Sequence, residues 1–229
     1  MKLQNVLKAG SLKSDERIYA EVFDAILSHR LPPGTKLSEE SLGRIFGVSR
    51  TLIRKTLQRL AYEGVVLIRP NRGASIVHTS VQDARQVFEA RKVLEGVIVK
   101  IAAKKISSKS LAALRKHCKE EADTYENGDR GSAVRLSGVF HLLLAECTEN
   151  EMLCGFMRIL VSRSSLVISE YEHTQSNTHC DHIGLIEAIE NRDGDKAEQL
   201  MIQHLDMVEN NLNYDKKSSE IDLEQIFNK

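Results

Sequence analysis

Residues 37–76 read LSEESLGRIFGVSRTLIRKTLQRLAYEGVVLIRPNRGASI. The pattern predicts a short helix from Ser38 to Phe46, with Ser38 as its N-cap and Gly47 as its stop. A hydroxyl can accept from a free first-turn amide, and glycine takes the left-handed backbone that ends a helix. A longer helix is expected over 49–64, burying Ile53, Leu57, Leu60 and Ala61 at helical spacing. The period then changes: VVLIR, PNRG and ASIV read as two short strands around a tight turn. Upstream, 14–30 (SDERIYAEVFDAILSHR) forms an amphipathic helix, with Ser14 as N-cap and Leu31-Pro32-Pro33-Gly34 as its stop. Helix, short helix, turn at Gly47-Val48, helix and hairpin is the order of a winged helix-turn-helix, here over residues 1–78.

Burying Ile53, Leu57 and Leu60 leaves Arg50, Thr51, Arg54, Lys55 and Gln58 on the other side of the third helix. Arg50 and Arg54 lie one turn apart near its start and point the same way. A helix end in the major groove presents such groups to base edges and phosphates, and arginine matches the paired acceptors of guanine. Arg72, at the hairpin tip beside Gly73, is placed to reach phosphate or the minor groove. The same charges would also suit the wet face of an ordinary amphipathic helix, and spacing alone leaves both readings open.

From Ser80 onward there is no strand-like alternation. Helices are expected at about 80–105, 109–127, 130–148, 150–174, 178–191 and 194–213, with short connections that imply antiparallel neighbours in a bundle. The fold class is therefore mainly α: a winged helix-turn-helix over 1–78, an all-helical unit over 79–215, to which the resemblance described below assigns effector binding and dimerisation, and a polar tail over 216–229.

The chain has 229 residues, 41% of them hydrophobic, enough for a proper core. No uninterrupted apolar run reaches the roughly 18–20 residues of a membrane span, and the N-terminus lacks the apolar region of a signal peptide. Cys118, Cys147, Cys154 and Cys180 form no CxxC pair and read as structural thiols of a reducing cytosol. The 32 basic and 32 acidic residues cancel overall, yet residues 1–78 hold 13 basic against 7 acidic. A basic segment joined to an acidic one suggests that only the first meets a polyanion.

Three histidines sit on or beside the inward stripes of different helices: His141 among Leu136, Phe140 and Leu144; His182 with Leu185, Ile186 and Ile189; His204 with Leu200, Met201 and Val208. Each alone is ordinarily a satisfied core residue. Three together suit a divalent metal such as Zn, Ni or Fe, with an open position for a carboxylate or water. Arg91 lies in the apolar stripe Val87, Leu94 and Ile98, where an unpaired charge is expensive. It reads either as an i,i+4 partner of Glu95 or as a clamp for an anionic effector. A helical metalloenzyme using His141, His182 and His204 is the rival reading, but no HExxH, GxSxG or phosphate-loop pattern accompanies the histidines.

The run LSEE, GVSRT, Arg54-x-x-Leu57-x-x-Leu60 ending in EG, and the RG of the hairpin resembles the DNA-binding domain of the GntR family of bacterial transcription regulators. The resemblance implies base and phosphate contacts from Arg50, Thr51 and Arg54 and places Gly73 in the wing. Two departures stand out: Glu40 occupies a position where relatives often carry arginine, and Lys55-Thr56 replaces a usual Glu-Ala pair. FEARKVLE at 88–95, VFH at 139–141, EN at 149–150 and the HIGLIEAI, GDKA and MIQHL segments after His182 resemble the FCD-type ligand-binding domain of the FadR subgroup. That resemblance implies a metal on His141, His182 and His204, with Ser137 where many relatives place a fourth, aspartate ligand. It further implies a cytoplasmic homodimer on double-stranded operator DNA, controlled by a small organic acid near Arg91, and neither an enzyme nor a membrane protein.

Overall fold

A computed structural model describes residues 14–172 and 182–215. The N-terminal part contains α1 (Ser14–Leu27), β1 (Lys36–Leu37), α2 (Glu39–Phe46), α3 (Arg50–Tyr62), β2 (Val66–Arg69) and β3 (Gly73–Ile76). The Ser38 side chain accepts from Ser41 N–H at the start of α2, and Ser49 accepts from Leu52 N–H at the start of α3. Gly47 closes α2 at φ 65°, and a Cβ on Gly43 would lie 3.1 Å from the Val48 carbonyl oxygen, so the turn between the helices is tight. The hairpin β2–β3 is joined by β1 on the far edge of β3, giving the order β1-β3-β2, all antiparallel. The sequence reading contains only the hairpin: a two-residue strand is too short to show alternation. It also runs α1 three residues too far, because the chain leaves the helix at Ser28 and His29 takes a left-handed φ of 57°.

The remainder is helical: α4 (Val81–Lys105), α5 (Ser108–Glu126), α6 (Arg130–Glu146), α7 (Glu151–Tyr171), α8 (Ile183–Glu190) and α9 (Gly194–Asn210). Ser80 and Asp83 form a reciprocal capping box that starts α4 sharply after the wing. The expected helix end at 174, the expected helix start at 178, Cys180 and the 216–229 tail lie outside the described residues. The helix expected to reach 174 ends at Tyr171, and the one expected to reach 213 ends at Asn210. By length and composition α7 could cross a bilayer. Here it packs on α1, α4 and α6 as a central helix of the bundle. Counting uninterrupted apolar residues does not register it, because Arg158, Arg163 and several serines break the run.

One hydrophobic cluster runs from Ile18, Phe23 and Ile53 through Val99, Phe140 and Val161 to Met201 and Leu205. The N-terminal helices are thus seated on the bundle rather than tethered to it. Pro70–Arg72 and the exposed side of α3 face away from this shared core.

Candidate nucleic-acid interface and metal centre

Helical periodicity places the α3 side chains as the sequence suggests. Ile53, Leu57 and Leu60 are buried, together with Thr56, whose hydroxyl donates to the Leu52 carbonyl. Arg50, Thr51, Arg54, Lys55 and Gln58 are exposed. Arg17 on α1 donates to the Phe46 carbonyl and fixes the end of α2 against the turn. At the wing tip Asn71 (φ 60°) and Gly73 (φ 79°) reverse the chain and leave Arg72 exposed.

The cations on α3 are not bare. Arg54 donates through Nε (2.9 Å) and Nη2 (2.7 Å) to the two oxygens of Glu39. Arg50 pairs with Glu40 at 2.9 Å and Lys55 with Asp15 at 2.9 Å. The hydrogen bond from Arg54 holds the Glu39 carboxyl below its usual range, and that from Lys55 does the same for Asp15. Sequence reasoning saw Glu40 only as a departure and missed Glu39 and Asp15 as partners, because both come from other helices.

The second site lies inside the bundle. A cavity of about 100 Å³ is walled by Arg91 of α4, Glu121 of α5, Ser137 and His141 of α6, Ser164 of α7 and His204 of α9, among others. An interior space of ~150 Å³ holds a benzene ring, so this one suits a ligand of only a few heavy atoms. His141, His182 and His204 each offer a ring nitrogen, and those nitrogens lie within 4.8 Å of one another. His141 Nε2 and His204 Nε2 are 3.3 Å apart. His182 Nε2 and His204 Nδ1 are buried without a hydrogen-bond partner.

Two carboxylates orient the rings. His141 Nδ1 is 2.5 Å from Glu95 Oε2, and His182 Nδ1 is 3.1 Å from Glu121 Oε2. Phe140 stacks on His182 at a centroid distance of 4.0 Å. Burial pushes the His141 imidazole down to about 4, against the pull of Glu95, and desolvation together with its histidine neighbours also holds His204 well below its usual value. A ring whose Nδ1–H points at a carboxylate turns its Nε2 toward the other side, where a metal can be held. Three ring-nitrogen donors, with polar atoms left unpartnered beside a cavity, fit a divalent ion such as Zn, Ni or Fe. Ser137 lies on the same wall but supplies no charge. The sequence reading puts His182 inside a helix; it is instead the N-cap residue of α8.

Arg91 forms the i,i+4 pair with Glu95 that its spacing allows. Its Nε donates to Glu95 Oε1 at 2.6 Å and its Nη1 to Ser164 Oγ at 3.0 Å, while Nη2 is buried without a partner. Burial alone would raise the Glu95 carboxyl, but Arg91 and His141 outweigh it and hold it down to about 2. Glu95 therefore belongs to both halves of the site. Glu121 was legible in principle, since Leu114, Cys118 and Glu121 share one buried stripe at helical spacing and an acid there demands a partner. Burial, aided by Glu146, pushes the Cys147 thiol up to about 11 and Cys154 in the same direction, while Cys118 brings its sulfur within 4.8 Å of ligand atoms on Glu121 and His182.

Comparison with known proteins matches both parts. The family described as bacterial regulatory proteins, gntR family, matches residues 14–76, and the FCD domain matches 86–207, more than half of the chain. The HTH-type transcriptional repressor RspR of Escherichia coli K12 is 26% identical over 194 residues, which is 83% of this chain and 85% of that protein. LutR of Bacillus subtilis is 26% identical over 211 residues, 80% of this chain and 94% of that protein. The solved structure of E. coli McbR/YncC superposes with a TM-score of 0.78 at 17% identity, covering 86% of this chain and 95% of that one, and so shares its fold. With a winged reading helix on one side of a shared core and an FCD bundle on the other, the chain belongs to the GntR family of bacterial regulatory proteins and is a DNA-binding transcription regulator.

Proposed function

We propose that this regulator is a cytoplasmic homodimeric repressor of the FadR subgroup, in which a small carboxylate bound between Arg91 and a divalent metal on His141, His182 and His204 sets operator affinity. The observation that carries this reading is the convergence of three ring nitrogens beside a buried guanidinium with one free edge. When bound, the metal supplies a positive open position for a carboxylate oxygen. Arg91 offers Nη2 to the same anion, Ser164 holds the guanidinium in place, and Glu95 fixes Arg91 relative to His141.

The route from the cavity to the reading helix runs along α7. Ser164 and Ser165 both line the cavity, and Ser165 Oγ lies 3.4 Å from the Ile26 and Leu27 carbonyls at the end of α1. Further along, Glu170 accepts from Thr79 N–H (2.7 Å) and its hydroxyl (2.8 Å), and Tyr171 donates to the Thr79 carbonyl (2.5 Å). A shift of α7 therefore moves both ends of the N-terminal unit. Val93 (70% exposed), Met152 (67%) and Phe156 (51%) leave an apolar face on α4 and α7, and this is the face for a second copy. Two reading helices are needed because paired half-sites mirror a two-fold protein.

The test measures operator affinity by fluorescence anisotropy, on duplex selected from random DNA, while small mono- and dicarboxylic acids are added to metal-loaded protein. At least one acid is expected to change affinity by roughly 5–150-fold, the usual span of a coupling between sites. Acids that bind the bundle and leave operator affinity unchanged would refute the proposed control.

A further inference from the structure

Three of the four exposed cations of α3 are held by acids from other helices: Arg50 by Glu40, Arg54 by Glu39 and Lys55 by Asp15; the fourth, Arg59, pairs with Glu63 just past the end of its own helix. From this geometry we infer that Glu39 and Glu40 are specificity-determining residues, which keep the reading helix from binding DNA of the wrong sequence. Affinity for arbitrary duplex comes from cations that neutralise phosphates and release counterions. A cation already matched by a carboxylate contributes little to that process, and the carboxylate itself repels an approaching phosphate. The pairs are largely exposed, Arg50 at 64% and Arg54 at 61% of their side chains, so they add little to folding stability and remain open to DNA.

The clamp on Arg54 leaves its reading function intact. Glu39 takes Nε and one hydrogen of Nη2. Nη1 and the outer side of Nη2 remain, enough for the two-pronged contact to guanine O6 and N7. A guanine in register can thus be read by an arginine whose direction is already fixed, while a phosphate out of register meets a neutralised surface. This is discrimination by penalising the wrong partner as well as rewarding the right one. Arg72 of the wing is exposed and carries no ion pair among the described residues, so it supplies the unspecific grip.

The experiment compares wild-type protein with Glu39→Gln and Glu40→Gln on two 30-base-pair duplexes, one selected from random DNA by the wild-type protein and one scrambled. Anisotropy titrations run from roughly 50 to 200 mM salt, the range over which phosphate contacts weaken markedly. Each variant is expected to bind the scrambled duplex roughly three- to ten-fold tighter at the low end, with a log–log salt slope steeper by up to about 0.9 per cation released. Binding to the selected duplex should change less with Glu40→Gln and weaken with Glu39→Gln, because Arg54 loses its fixed direction. Unchanged affinity and slope on scrambled DNA in both variants would overturn the inference. So would an equal gain on both duplexes, which would mean general repulsion without discrimination. Circular dichroism confirms folding, which two exposed carboxamides should not alter.

Discussion

Replacing Arg54 by alanine removes a guanidinium that touches no core residue, so the chain should fold and melt as wild type while losing specific DNA binding. Anisotropy on the selected duplex checks this, and retained specificity would show that α3 is not the reading element. Glu95→Gln tests the opposite kind of site. Its carboxylate is 1% exposed and serves Arg91 and His141 together, so the substitution leaves a buried arginine poorly compensated. Breaking one side of a buried pair typically costs ~3–5 kcal/mol, and urea unfolding should show a loss of that order. At this scale the sequence was informative wherever one helix decides the answer. The wet and dry sides of α3, and Arg91 with Glu95, follow from spacing within a single segment. The partners Glu39, Asp15, Glu121 and Ser164 come from other helices, and nothing in local periodicity says which segments will meet.

Among the elements, the turn between α2 and α3 and the central helix α7 carry the sharpest expectations. Gly47 sits at φ 65° with open space where a side chain would go, so Gly47→Ala costs backbone strain alone, about 1 kcal/mol. A thermal scan should show Tm lower by about 2–4 °C. Gly43 lies within α2 at an ordinary helical φ, and a Gly43→Ala methyl would sit 3.1 Å from the Val48 carbonyl oxygen, so this close approach opposes the usual gain of about 1 kcal/mol for alanine in a helix. Glu170→Gln weakens the grip of α7 on Thr79 without touching the cavity lining. Effector and metal should bind with unchanged affinity in isothermal titration while the effect of effector on operator binding shrinks. Element identity was largely readable from the sequence because caps and glycine stops punctuate it: Ser38, Ser49, Ser80 and Gly47 all act where they fall. The ends were less readable. His29 and the two-residue β1 depend on contacts between segments, and His182 stands at the N-cap position of α8 instead of lying within it.

For the molecule as a whole, the continuous core and the apolar α4–α7 face matter most. Phe156→Glu places a charge on that face; on the proposed dimer, sedimentation is expected to show wild type as a dimer and the variant as a monomer, with operator affinity falling in step. The charge asymmetry along the chain gave the correct end for DNA. It could not reveal that the local field at the reading helix is balanced, since that balance exists only after folding. The shared Glu95 carboxylate has one more consequence. A single anion braces both the guanidinium and an imidazole, so loosening either grip loosens the other. With the proposed metal and acid in place, the regulator should then behave as a two-input gate: an organic acid supplied to metal-starved cells would leave the genes it represses silent.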